Sequence, residues 1–174
     1  MSLFNPPLTS RNPAAPAAWP GARPGLPRAE AHTYGSCPND VDFVALQVCL
    51  RPSGGLARGD DLALCLGRLD QGQDHSSGHA RLARLMVSGQ VFSFAWLDTY
   101  WLPMFQFDPV GLGLRAEARA VLRELVEVLD GWSLAVWFVQ PCSCLGSRSP
   151  LTLLRSDPPA VLHAARLQRY VAKA

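Results

Sequence analysis

Apolar side chains return every third or fourth position through RAEARAVLRELVEVL (115–129), and that period predicts an amphipathic helix. Ala118, Val121, Leu122, Leu125 and Leu129 share its inner face; Arg115, Arg119, Arg123 and Glu127 share the outer one. Asp130-Gly131 breaks the pattern. WSLAVWFVQ (132–140) is apolar nearly all round, which predicts a buried central helix ended by Pro141. CSCLGSRS reads as a loop. Ser149 is placed to cap a short helix from Pro150 through Leu151, Leu153 and Leu154. Asp157-Pro158 repeats that signal for a last helix from Pro159 to about Val171, with Leu162, Ala165 and Leu167 to pack and Arg166 and Arg169 in water.

Upstream the period shortens to two. VFSFAW (91–96) alternates, MFQF (104–107) is equally aromatic, and LDTYWLP between them predicts a two-stranded hairpin. Asp108-Pro109 with Gly111 and Gly113 closes it. Two further helices precede the hairpin. GDDLALCLGRL carries Asp60 and Asp61 at its start and a stripe of Leu62, Cys65, Leu66 and Leu69. GHARLARLMVSG has Ser76 or Ser77 as its cap, Leu82, Leu85 and Met86 on one face, and Gly89 as its stop. Before these, Asp40 can cap a helix carrying Phe43, Val44, Leu46, Gln47 and Leu50, although the same letters could make a strand; RPSGG ends it. Residues 1–36 show prolines, alanines and glycines with no apolar period, so a disordered arm is expected, with Trp19 free to dock. The fold class is mainly α: a small helical domain with one β-hairpin (90–174), preceded by a reduced helix-turn-helix-like region (37–89) and the Pro-rich arm (1–36).

Composition allows a packed core, with 48% hydrophobic and 17% charged residues. A net charge of +2 is too small to argue nucleic-acid binding. No run approaches the roughly 18 apolar residues of a membrane span. MSLFNPPLTSRNP lacks the basic start and apolar segment of a signal peptide. Five scattered cysteines then point to reduced thiols in a cytoplasmic protein.

The chemical constellations are thin. Cys142-Ser-Cys144 lacks the C-x-x-C spacing and a second pair, so two small loop residues is the preferred reading and no metal is expected. His75 and His79 lack the glutamate of an H-E-x-x-H arrangement, and His163 is isolated. No nucleophile elbow or phosphate loop is present, so neither an enzyme, a catalytic residue nor a cofactor is expected. The two helices before the hairpin have a helix-turn-helix layout that exposes His79, Arg81 and Arg84 on the second, although their connection of about eight residues exceeds the usual length. Arg81 and Arg84 are the candidate DNA contacts. Charge is unevenly spread. Residues 98–130 hold six acids and three arginines, whereas residues 148–174 hold five bases and one acid. The C-terminal helix therefore reads as a cationic projection suited to an anionic cleft on a partner.

Several of these elements occur together in a known order. A glycine turn with VFSF, then LPMFQFD, a charged helix, DGWSLAVWFVQP, LGSRSPLTLL and DPPAVLHAAR resemble the toxin-binding domain of the MbcA/ParS/Xre antitoxin family over about residues 88–171. Cys142 stands where that pattern commonly has asparagine. The resemblance implies an antitoxin of a type II toxin–antitoxin system that binds and silences a cognate toxin, typically of the NAD-consuming RES type. Arg166, Arg169, Tyr170 and Lys173 would enter the toxin's cleft, so that removing 164–174 should abolish neutralisation and leave the domain folded. It brings in a homodimer and operator DNA as further candidate partners, and no membrane. A DNA-binding regulator without a toxin is the alternative. Within this reading Phe105 and Phe107 pack the hairpin onto the Trp132/Trp137 helix, and Gln106 points to the opposite face of the strand.

Overall fold

The computed structural model describes residues 38–69 and 78–174. The arm over 1–36 and the caps proposed at Ser76 and Ser77 lie outside them. Seven α-helices and a three-stranded antiparallel sheet are present among the described residues, so the chain is mainly helical, as its periodicity predicts.

Helix α1 (Asp40–Leu50) settles the ambiguity over 40–50, and its cap is one residue earlier than expected. Asn39 Oδ1 accepts the N–H groups of Val41 (2.9 Å) and Asp42 (3.1 Å), and the Asp42 carboxylate accepts the Asn39 N–H in return. Asn39 takes this role because its backbone is extended while its side chain reaches back over the first turn. A 3₁₀ turn at Arg51–Ser53 and two left-handed glycines, Gly54 and Gly55, lead into β1 (Leu56–Arg58), a strand the periodicity misses because it is three residues long.

Helices α2 (Gly59–Leu69) and α3 (Gly78–Val87) cross closely. A Cβ on Gly78 would lie 1.9 Å from the Ala63 carbonyl oxygen and 2.6 Å from the Gly67 nitrogen, so only glycine admits this approach. The crossing rotates the buried face of α2 to Leu62, Ala63 and Leu66, leaving Cys65 exposed and Leu69 55% exposed, contrary to the stripe expected.

The hairpin exists with a different second strand. β2 (Phe94–Trp96) pairs with β3 (Thr99–Pro103), and β1 pairs with the other edge of β3. The sheet thus joins residues from both sides of position 89. Leu97 and Asp98 form the two-residue turn, with φ of 45° and 57°, the backbone hand that matches the twist of the flanking strands. So tight a turn commits Thr99, Tyr100 and Trp101 to the strand. Pro103 then ends the ladder, and Met104–Gln106 becomes a 3₁₀ turn instead of the MFQF strand.

Helix α4 (Ala116–Leu125) buries all five residues assigned to its inner face, counting Leu129 in the turn beyond it. Helix α5 (Gly131–Val139) is the central one, with Leu134, Ala135 and Phe138 at most 1% exposed. Asp130 caps it through Ser133 N–H at 2.7 Å, so the Asp-Gly breaker is also the start signal. Helices α6 (Pro150–Leu153) and α7 (Pro158–Lys173) are capped by Ser149 and Asp157, as their sequence signals predict.

The core is in two parts. The larger joins α1, α4, α5, α6 and α7 around Phe92, Phe94 and Phe105; the smaller joins α2 and α3 around Val91, Leu102 and Phe107. The segment from Val91 to Phe107 is the wall between them. Phe105 packs on Phe138 with ring centroids 4.6 Å apart, as the latch reading expects. Phe107 does not follow it: the turn at Met104–Gln106 sends that ring into the smaller cluster.

Candidate partner-binding surface

Gln106 is the most buried polar side chain among the described residues, 1% exposed, and its amide is fully engaged. Its Oε1 accepts the Phe92 N–H at 2.8 Å, and its Nε2 donates to the carbonyls of Phe92 and Pro103, each at 3.0 Å. The side chain imitates one rung of a β-ladder against Phe92. It faces the interior between the two clusters, not the opposite face of a strand, because residues 104–106 turn instead of extending. The FQF unit is a structural latch, and this is what the amide among aromatics does.

On α7, Ala165 is buried as expected, together with Val161 and Ala164, and the cations flank that face, with Arg166 exposed and Arg169 half-buried. Arg166 Nε donates to Glu124 Oε1 at 3.0 Å. Arg169 Nη1 lies 2.6 Å from the other carboxylate oxygen, an ion pair whose approach is off the hydrogen-bonding direction. Lys173 Nζ reaches Glu127 Oε2 at 3.3 Å. Glu124 sits between the helices with 15% of its side chain exposed. The acids of α4 therefore attract the basic side of α7, and the helix lies along the body instead of projecting from it. Leu167, expected to pack, is 43% exposed, with Tyr170 at 75% and Val171 at 55%. These three recur at i, i+3 and i+4, so the last turns of α7 present an apolar stripe to solvent. Of the four residues expected to meet a toxin, Tyr170 alone is on that stripe; Arg166, Arg169 and Lys173 hold the helix to α4.

Around α3 the picture is mixed. Arg84 is exposed, Arg81 is half-buried, and both stand on the second helix of the pair. His79 Nε2 is 3.8 Å from Asp60 Oδ1, which puts a carboxylate beside the start of α3. A hollow of about 380 Å³ between α3 and the hairpin tip is lined by Asp60 and Asp98 as well as Arg58 and Tyr100. A smaller one, of about 280 Å³, lies between the end of α3 and α4.

Cys142 and Cys144 approach each other, Sγ to Sγ 2.6 Å, across a 3₁₀ turn at Ser143–Leu145. The Cys144 thiol is pushed up to about 11, first by burial and then by its contact with Cys142. A proton held that tightly makes it a poor nucleophile and metal ligand near neutrality. Burial also raises Cys49. Among the described residues, no group of three or more His, Cys, Asp or Glu is placed to hold a metal, and no helix is long and apolar enough to cross a membrane.

Comparison of the chain with protein-family models, with curated proteins and with solved structures finds no match. What bears on function is therefore the chain's own motifs and the surfaces described above.

Proposed function

We propose that the protein is an antitoxin that binds a cognate toxin protein, of the NAD-consuming RES type, and occludes its active-site cleft with the end of α7. The observation that carries this reading is the stripe of Leu167, Tyr170 and Val171 on a helix whose adjoining cations are held to Glu124 and Glu127 by three ion pairs. An apolar stripe held rigid in this way loses little conformational freedom on docking, and an exposed tyrosine is a common anchor. Arg166, Arg169 and Lys173 remain 59%, 43% and 55% exposed at their side chains. They rim the stripe with charge, which steers and orients a partner more than it adds affinity. The order of motifs from residue 88 to residue 171 supports the same reading. A DNA-binding regulator ranks second, because Asp60 and Asp61 at the start of α2 bring negative charge close to the helix that would meet phosphates.

The test is co-expression with the product of the neighbouring reading frame. That product alone should arrest growth, and the pair should grow and co-purify. Removing 164–174 is too coarse, since Ala164 and Ala165 belong to the core. Removing 170–174 keeps the core and both Glu124 ion pairs intact, as does Tyr170→Ala. Either change should leave the melting temperature within about 2 °C and weaken the complex by roughly thirtyfold, the effect of losing an aromatic anchor. Full neutralisation by the 170–174 truncation would refute the role of the tail. A harmless neighbour that does not co-purify would refute the antitoxin reading.

A further inference from the structure

We propose that the hollow between the end of α3 and α4 is a binding site for a phosphate group, free or carried on a small molecule. Ser88, Gly89, Gln90, Arg119 and Arg123 line this cavity of about 280 Å³. Arg119 and Arg123 are four residues apart, so their guanidinium groups share one face of α4, an arrangement that costs the helix stability through like-charge repulsion. The nearby acids offer them little relief: Glu117, at i−2 from Arg119 and i−6 from Arg123, does not face them, Glu124 is taken by Arg166 and Arg169, and Glu127, just beyond α4, by Lys173. The Nε of Arg119 is fully buried and has no hydrogen-bond acceptor among the described residues. A buried charged donor left unmet is costly, and a turn of the Arg119 side chain toward an acceptor in the hollow would remove that cost.

On the opposite wall three carbonyls of the last turns of α3 are engaged locally: Arg84 O accepts from Ser88 N, Leu85 O from Gln90 N and Met86 O from Gly89 N. The left-handed Gly89, with φ of 64°, makes that closure possible. The Ser88 hydroxyl donates to Leu85 O and accepts from Gln90 Nε2, which orients the Gln90 amide and leaves it a second hydrogen to give. Two guanidinium forks and one amide donor suit a tetrahedral oxyanion, which can accept several charge-assisted bonds at once. The acids on and just beyond α4, Glu117, Glu124 and Glu127, disfavour a long polyanion and favour a small ligand over a nucleic-acid backbone. This site stands apart from the α7 stripe and does not depend on the antitoxin reading.

The first probe is inorganic phosphate, titrated into the full chain at low salt while arginine side-chain N–H resonances are followed by NMR. Saturable binding at one site, with a Kd on the order of 1 mM and the Arg119 Nε–H resonance moving, is expected for two such arginines. Arg119→Gln and Arg123→Gln should each weaken phosphate by about tenfold or more, whereas Arg155→Gln, an exposed arginine beyond α6, should not. Arg119→Lys keeps the charge and loses the fork, so intermediate weakening is expected. Should a variant fail to fold, the wild-type resonance shift decides by itself. No saturable shift, or equal phosphate affinity in Arg119→Gln, would overturn the proposal. So would a DNA duplex that binds through the same two arginines and is not displaced by phosphate.

Discussion

Exchanging Gln106 for methionine keeps the length and most of the volume of the side chain while removing its amide. Phe92 lies outside the strands, and among the described residues its N–H and C=O have no hydrogen-bond partner but Gln106. The site is 1% exposed, so water cannot take over. Each buried group left unmet costs about 1–3 kcal/mol, so losing both partners costs roughly 2–6 kcal/mol. The thioether returns about 1 kcal/mol through apolar transfer. The net expectation is a loss of about 1–5 kcal/mol, set against the ~5–15 kcal/mol that holds a typical domain. For a chain of this size that corresponds to a melting temperature lower by about 2–20 °C. Chemical denaturation of both proteins gives the free-energy difference directly, and amide exchange at Phe92 should speed up in the variant. A Gln106→Met protein within about 0.5 kcal/mol of the parent, with the Phe92 amide still protected, would refute the idea that this amide joins the two halves of the core.

Two further outcomes follow from single positions. Gly131→Ala would put a methyl 1.9 Å from the Ser93 carbonyl oxygen, a backbone atom that cannot swing aside, so α5 must shift and the melting temperature should fall by several degrees, as for other overpacked sites, by calorimetry. A variant as stable as the parent would show that this approach can loosen freely. Cys144, with its thiol near 11 against an ordinary 9.0, should be alkylated slowly at neutral pH and faster as pH climbs toward 11, by mass spectrometry of the labelled peptide. Because the folded state holds that proton more tightly than the unfolded one, its contribution to stability is intact below about pH 9 and is lost as pH rises through 11. Cys142→Ser should bring the labelling curve to lower pH by removing the neighbouring thiol; an unchanged curve would leave burial as the sole cause.

The amino-acid pattern alone determined most of the helices. The stripe on α4, the all-round apolar α5 and the Ser149 and Asp157 caps are local signals: each depends on side chains within one or two turns, so one stretch of chain carries all the information needed. Tertiary structure decided what depends on distant partners. Strand β1 forms because β3 offers it an edge, and three residues carry no period of their own. Phe107 enters the smaller cluster because a 3₁₀ turn, held by Gln106 against Phe92, redirects it. The partners of the α7 cations are Glu124 and Glu127, more than forty positions away in the chain, and they hold the helix along the body while Leu167, Tyr170 and Val171 stay exposed. Amphipathic period fixes which residues of a helix share a side. Which side meets water is chosen by the surface it packs against, and on α7 that surface includes charges no local window contains.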